Sequence, residues 1–266
     1  MTPVIHSLYI YPIKSCHGIS VETAELVDTG FQYDRHWMLI DDEGQFLSQR
    51  QHAGMATIFT RIEGNSLIVS HQGMDDLSLP LQQPLQTAVD VQIWGDHCTA
   101  STVSDAADEW FSAVLQSSCR LVFLPADEPR QVDQDYAKPD QIVGFADGFP
   151  LLVMSLASID ELGKRLGETV TIERFRPNIV IAGCAAHAED EWKNIHINDI
   201  VIDLAKPCSR CVIPSIDPQT AQKHPELLKT LAGYRRRDGK VYVGQNGLHR
   251  SHGRLSVGEH VSATPK

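Results

Sequence analysis

The first hundred positions read as short strands broken by closely spaced turn signals. His6, Leu8 and Ile10 fall on one side of such a strand, and Ser7, Tyr9 and Tyr11 on the other. Pro12, which has no N–H for a ladder, ends it. Residues 36–40 and 45–47 flank Asp42, Glu43 and Gly44, and residues 57–62 and 67–69 flank Gly64 and Asn65, so each pair predicts a hairpin. A further run at 88–94 stops at Gly95 and Asp96.

Two segments change to the helical period. Ser104 can cap a helix in which Ala107, Trp110, Phe111 and Val114 share a face. Ser158 and Glu161 form a capping box ahead of Ile159, Leu162 and Leu166, with Gly167 as the stop. Strands are then predicted at 170–172, 179–182, 200–204 and 241–243, with a helix opened by His224 and Pro225 and running to 231. The expected fold is β-rich α+β, barrel-like or sandwich-like, in two closely packed units, 1–110 and 111–266.

Composition narrows the function classes. The chain has 266 residues, 42% of them apolar and 21% charged, which is ordinary for a globular protein. No window approaches the ~18 unbroken apolar residues of a spanning helix. The start, MTPVIHSLYIYPIKS, carries no basic segment ahead of an apolar stretch, so a cytoplasmic protein without membrane contact is expected. A net charge of −11 argues against nucleic acid as a partner. Positive charge is nonetheless gathered at Arg235, Arg236, Arg237, Lys240, Arg250 and Arg254.

Of the six cysteines, only Cys208 and Cys211 form a close pair, within Lys206-Pro207-Cys208-Ser209-Arg210-Cys211. A C-x-x-C is ambiguous by itself. Zinc needs a second ligand pair, for which His249 and His252 are the candidates. A redox pair belongs at a helix N-terminus, which Val212-Ile213-Pro214 does not resemble. Two buried core cysteines, or one soft thiolate ligand beside a bystander, complete the options. In an extended segment, residues three apart point to opposite faces, so only one of the two would face a pocket. Arg210 beside them would favour a thiolate and could meet an anion.

Anion-binding chemistry recurs elsewhere. Lys14 and Ser15 sit in the loop that ends the first strand, Arg35 opens the strand after it, and Arg176 and Asn178 precede a buried strand. Such side chains hold a phosphate and a hydrogen-bonding heterocycle.

Seven blocks carry a resemblance: YPIKSC at 11–16, DRHWMLID at 34–41, FADGFP at 145–150, FRPNIVIAGC at 175–184, AEDEW at 188–192, KPCSRC at 206–211 and VGQN at 243–246. Over its whole length the chain resembles the MOSC superfamily, and within it the bacterial and mitochondrial amidoxime-reducing proteins. That resemblance implies an N-terminal β-barrel MOSC domain packed on a C-terminal β-barrel MOSC domain with a few helices. It implies a molybdenum–molybdopterin cofactor with Cys211 as the catalytic metal ligand. Lys14, Ser15 and Arg35 would reach the pterin from the N-terminal unit, and Ser155, Ser158, Arg176, Asn178, Ser209 and Arg210 from the C-terminal unit. Cys184 matches a cysteine that binds no metal. The implied reaction reduces N-hydroxylated compounds such as amidoximes, hydroxylamines and N-hydroxylated bases, with loss of water. Asp34, Asp147 or His36 would supply protons. The sequence shows no cluster-binding cysteine array, flavin or nicotinamide fingerprint, and no pyridoxal-phosphate domain, so electrons are expected from a ferredoxin-like or flavodoxin-like partner. The alternatives are sulfur transfer through a cysteine persulfide and a non-catalytic carrier of the cofactor.

Overall fold

The computed structural model describes residues 2–128 and 130–266. A nine-stranded mixed sheet dominates it. Along its hydrogen-bonded path the strands are Ile19–Val21, Val4–Ile10, Ile179–Ala182, Leu151–Ser155, Lys240–His249, Ile200–Ser209, Trp192–Ile197 and Ser262–Pro265, with Arg236–Arg237 paired off the path to Lys240–His249. Leu151–Ser155 and Ile179–Ala182 pair in parallel, a geometry that requires a crossover, and the helix Leu156–Leu166 lies within that connection. Both strands read as continuous apolar runs because both their faces are covered. Leu151, Val153, Ile179 and Ile181 enter one core, whereas Leu152, Met154 and Val180 enter another with Leu227 and Leu231.

The first part of the chain adds a four-stranded sheet, ordered Trp37–Ile40, Arg120–Phe123, Asp96–Thr102 and Ala88–Ile93, and a meander of Phe59–Glu63, Ser66–Ser70 and Leu77–Pro80. Their shared core takes Trp37, Leu39, Val69 and Leu121. The fold is therefore β-rich α+β, with three α-helices among the described residues.

Helix α1 (Asp105–Leu115) begins where the sequence places it, with the Ser104 hydroxyl accepting the Ala107 N–H at 3.2 Å. Helix α2 (Leu156–Leu166) does not. It starts two residues ahead of Ser158, Ser155 stands at its N-cap without a side-chain cap, and Ser158 lies buried inside it. The apolar series explains the shift, since Leu156 extends the face of Ile159, Leu162 and Leu166 one turn back. Gly167 closes the helix in the left-handed conformation, as expected. Helix α3 (Pro225–Arg235) runs one turn beyond its predicted end.

The predicted strand at 170–172 is absent. Val170 and Ile172 are buried, but the chain there enters the 3-10 turn Ile172–Phe175, which Arg176 ends. Residues 45–47 make isolated bridges from Phe46 to Ile40 and from Gln45 to Gln92 rather than a full strand.

The expected division after residue 110 falls inside α1, whose Ala107 and Phe111 share a core with Leu121 and Phe123. The two halves of the chain also interleave. Val4–Ile10 pairs with Ile179–Ala182, and Thr23–Val27 pairs with Gly253–Ser256, because long-range strand pairing satisfies edges that a cut would expose. No helix among the described residues is long and apolar enough to cross a membrane.

Candidate functional site

A cavity of about 970 Å³ opens where the two halves meet. From the first half it is lined by Lys14, Ser15 and Arg35, and from the second by Arg176, Asn178, Ser209, Arg210 and Cys211. Eight of the ten residues expected to hold a cofactor are thus brought together from four separate segments.

The first segment follows the end of Val4–Ile10. Beyond it the chain is laced to residues 34–37: Lys14 N–H donates to Trp37 O at 2.8 Å, Arg35 N–H to Tyr11 O at 2.8 Å and Trp37 N–H to Pro12 O at 3.0 Å. Ser15 and Arg35 both adopt positive φ, 68° and 48°, a conformation few residues but glycine take up readily. Arg176 does so as well, at 57°, where the 3-10 turn hands over to Pro177. Three of the proposed binding residues therefore sit on strained backbone, which concentrates at functional sites.

The cations differ in how fully they are committed. Lys14 is 5% exposed and gives its ammonium to Phe145 O at 2.8 Å and Asp147 at 2.5 Å. Burial pulls its pKa down while Asp147 opposes that fall. Arg35 is tied to Asp34 at 2.5 Å, to Asn178 Oδ1 at 3.0 Å and to Arg176 O at 3.2 Å. Asn178 also accepts the Leu152 N–H and donates to Tyr9 O, so its polar atoms are consumed within the protein. Arg35 and Asn178 hold the walls in place. Arg176 and Arg210 keep open donors: Nη2 of the first and Nε of the second are buried without a partner. Burial, and then the neighbouring Arg35 cation, lower the Arg176 pKa to about 10. An unpartnered guanidinium N–H in a buried wall calls for an anion.

The lining carries seven Lys and Arg side chains against three Asp, in a chain whose net charge is −11. Lys14, Arg35, Arg50, Arg176, Lys206, Arg210 and Lys240 supply the positive charge. Such a concentration suits a ligand with several negative charges.

Both Cys208 and Cys211 line the cavity, contrary to the expectation that one would turn away. Alternation holds only within a strand, and Ile200–Ser209 ends before Cys211. Pro207 lies in an irregular stretch of that strand, where its register against Lys240–His249 shifts. Cys208 packs partly on the core beneath and meets Arg210 Nη1 at 3.1 Å. Among the described residues no group of three or more His, Cys, Asp or Glu is arranged to hold a metal by itself. His252 instead faces Asp28 at 2.7 Å.

Ser155 and Ser158 are the two expected residues that the fold keeps from the cavity. They are 0% and 1% exposed, bond to each other, and accept the His187 N–H at 3.2 and 2.8 Å. The early start of α2 turns them inward. Of the three candidate proton donors, only Asp147 lines the cavity. Enclosure would raise its carboxyl, but the Lys14 ammonium outweighs that and holds it well below the usual range. Asp34 is buried against Arg35, and burial pushes the His36 pKa down to about 4. Cys184 packs on the core, and burial raises its thiol to about 11.

Sequence reasoning missed Arg50, Trp94 and Arg130. Arg130 is buried and anchors the loop that carries Asp147, donating to Gly144 O, Ala146 O and Asp147 O. No local signal marks it. Trp94 carried one, as a bulky residue at a hairpin turn beside Gly95.

Residues 2–118 match the family described as the MOSC N-terminal beta barrel domain, and residues 140–262 match the MOSC domain. The chain is 35% identical to mitochondrial amidoxime-reducing component 1 of Mus musculus, over 97% of this chain and 81% of that protein. The Homo sapiens protein of the same name is 34% identical, over 97% and 82%. A molybdenum cofactor sulfurase of Oryza sativa subsp. japonica is 31% identical over 90% of this chain, which spans 32% of that longer protein. Among solved structures, the YUAD protein from Bacillus subtilis aligns over 98% of this chain and 94% of its own, at 12% identity and a TM-score of 0.42.

Proposed function

Because this chain belongs to the MOSC family that includes the mitochondrial amidoxime-reducing components, we propose that it is a molybdenum-cofactor-dependent reductase of N-hydroxylated compounds. The observation that carries this reading is the cationic cavity, with Cys211 in its wall and the open guanidinium donors of Arg176 and Arg210. These groups fit the cofactor. Arg176, Arg210, Ser15 and Ser209 would hold its phosphate and pterin, Lys14, Arg35 and Asn178 would keep the walls set, and the Cys211 thiolate suits a soft, high-valent metal. When bound, the cofactor supplies a two-electron centre for removing oxygen from nitrogen.

Asp147, held as a carboxylate beside Lys14, is placed to accept N–H or O–H groups of a substrate. Electrons would come from a separate ferredoxin-like or flavodoxin-like carrier. Its docking face is best sought at the turn after α3. Arg236, Arg237 and Lys240 are exposed there, and Lys240 also lines the cavity. Arg235 and Arg250 do not belong to it, since they pair with Asp190 and Asp203.

A cofactor-loaded preparation tests the reading. About one molybdenum per chain and turnover of benzamidoxime with an artificial reductant are expected. Stoichiometric zinc without molybdenum would overturn it. A second reading, sulfur transfer through a persulfide, draws support from the Arg210–Cys208 contact and the sulfurase relative. Cyanide-releasable sulfur on a protein that does not reduce benzamidoxime would favour it.

A further inference from the structure

Trp94 and Gly95 form the two-residue turn between Ala88–Ile93 and Asp96–Thr102. The first residue of such a turn has left-handed backbone, so Gly, Asn or Asp is preferred there. This chain places its bulkiest side chain at that position, with φ at 57°. Trp94 is 47% exposed as a residue, although large apolar side chains are normally covered. Nothing in turn formation asks for it.

Its surroundings show a use. The Arg50 guanidinium lies 4.5 Å from the Trp94 ring centroid, and the Phe46 ring meets it edge-on at 4.9 Å. All three line the cavity, next to the Lys14–Asp147 ion pair. Lys14 itself lies 5.1 Å from the Phe46 ring. A second set repeats the composition: Tyr136, also exposed, has Lys206 4.2 Å from its centroid and Phe149 edge-on at 5.9 Å. A cation over a part-exposed ring, with a phenylalanine set edge-on to it, braces that ring at the cavity wall.

We infer that the braced Trp94 ring is the specificity-determining surface of the cavity, on which a flat aromatic or heteroaromatic N-hydroxylated substrate stacks with its N–OH end toward Asp147. This inference rests on the reductase reading of the same cavity. Stacking on an exposed aromatic tolerates many ring types, so the selection is for planarity rather than for one compound. Aliphatic substrates gain nothing from it.

The test uses cofactor-loaded wild type, Trp94→Gly and Trp94→Phe, with benzamidoxime and acetamidoxime as the flat and aliphatic probes. Trp94→Gly should raise KM for benzamidoxime roughly five- to a hundredfold, the range seen for loss of one stacking partner. It should raise the benzamidoxime KM at least about fivefold more than the acetamidoxime KM, beyond any change common to both probes that follows from removing Trp94 beside Asp147. Trp94→Phe should keep most of the preference. Glycine relieves the turn, so Trp94→Gly should melt no lower than wild type. Equal changes for both probes, no change for either, or a large fall in melting temperature would overturn the inference. Calorimetric titration of benzamidoxime into the same proteins separates it from the reductase reading. Binding that Trp94→Gly loses, in a protein that turns over neither probe, would sustain the stack and sink the activity.

Discussion

The guanidinium of Arg176 lies 4.2 Å from the centroid of the buried Tyr11 ring. Arg35 lies 4.3 Å from the same centroid, and the Tyr11 hydroxyl donates to Pro177 O at 3.0 Å. One aromatic ring thus steadies two cations from opposite halves of the chain, each partly relieved of its charge by the π face. Arg176 also donates Nη1 to Cys16 O at 2.6 Å, which leaves Nη2 for a ligand.

Replacing Arg176 with Leu should therefore weaken cofactor retention without unfolding the protein. One charge-assisted hydrogen bond is worth ~1.5–3 kcal/mol, so retention should weaken roughly ten- to a hundredfold. Burial already disfavours the Arg176 charge, and its loss should move the melting temperature little. Molybdenum and pterin content after dialysis, beside a thermal melt, are the measurements. Full retention would remove Arg176 from the binding set.

The two cysteines should behave unequally. Cys211→Ser is expected to abolish reduction, whereas Cys208→Ser, which alters a residue packed partly on the core and touching Arg210, should leave much of it. Steady-state turnover of each variant at matched molybdenum content decides this. Equal and total losses would point to a paired role.

Acid should destabilise the fold before most carboxylates are protonated. Burial lowers the His36 pKa to about 4, and burial followed by the Arg235 cation lowers that of His187 to about 4, against 6.5 when unfolded. Each imidazole then takes up a proton on unfolding between those limits. Its stability contribution is complete above about pH 6.5 and is lost as pH falls toward 4. The slope is at most ~1.4 kcal/mol per pH unit for each group. Denaturant titrations of wild type and His36→Phe at pH 7 and pH 5 should show a shallower decline in the variant. Parallel declines would mean that His36 titrates normally.

Carrier-driven and chemically driven turnover should respond differently to charge at the turn after α3. Reversing Arg236 and Arg237 to Glu should slow reduction by an acidic carrier and flatten its dependence on salt. A small neutral reductant should work nearly as well as before. A matched fall in both assays would place these arginines in folding or cofactor binding.

Much of this was readable along the chain, and the reason is locality. The turn signals around Gly64 and Gly95 and the Ser104 cap each act over a few residues, so sequence pattern determined those elements. The expected faces of the first strand failed, because a bulge between Ile5 and Ser7 leaves His6 exposed and Tyr9 and Tyr11 are buried along with Leu8 and Ile10. Residue type likewise marked Lys14, Arg35, Arg176 and Arg210 as candidates for an anion and the Cys208–Cys211 pair for a soft metal, while the choice of Cys211 within that pair came from the family resemblance. Tertiary packing decided what local pattern could not. It drew Leu156 into the core and so turned Ser155 and Ser158 inward, and it kept Val170 and Ile172 buried without a strand. It sorted the arginines as well. Arg35 and Arg235 meet carboxylates and are consumed, while Arg176 keeps a free donor because its neighbours are an aromatic ring, a carbonyl and another cation. Charge is a property of the residue, but whether it remains available depends on what long-range strand pairing places within hydrogen-bond reach.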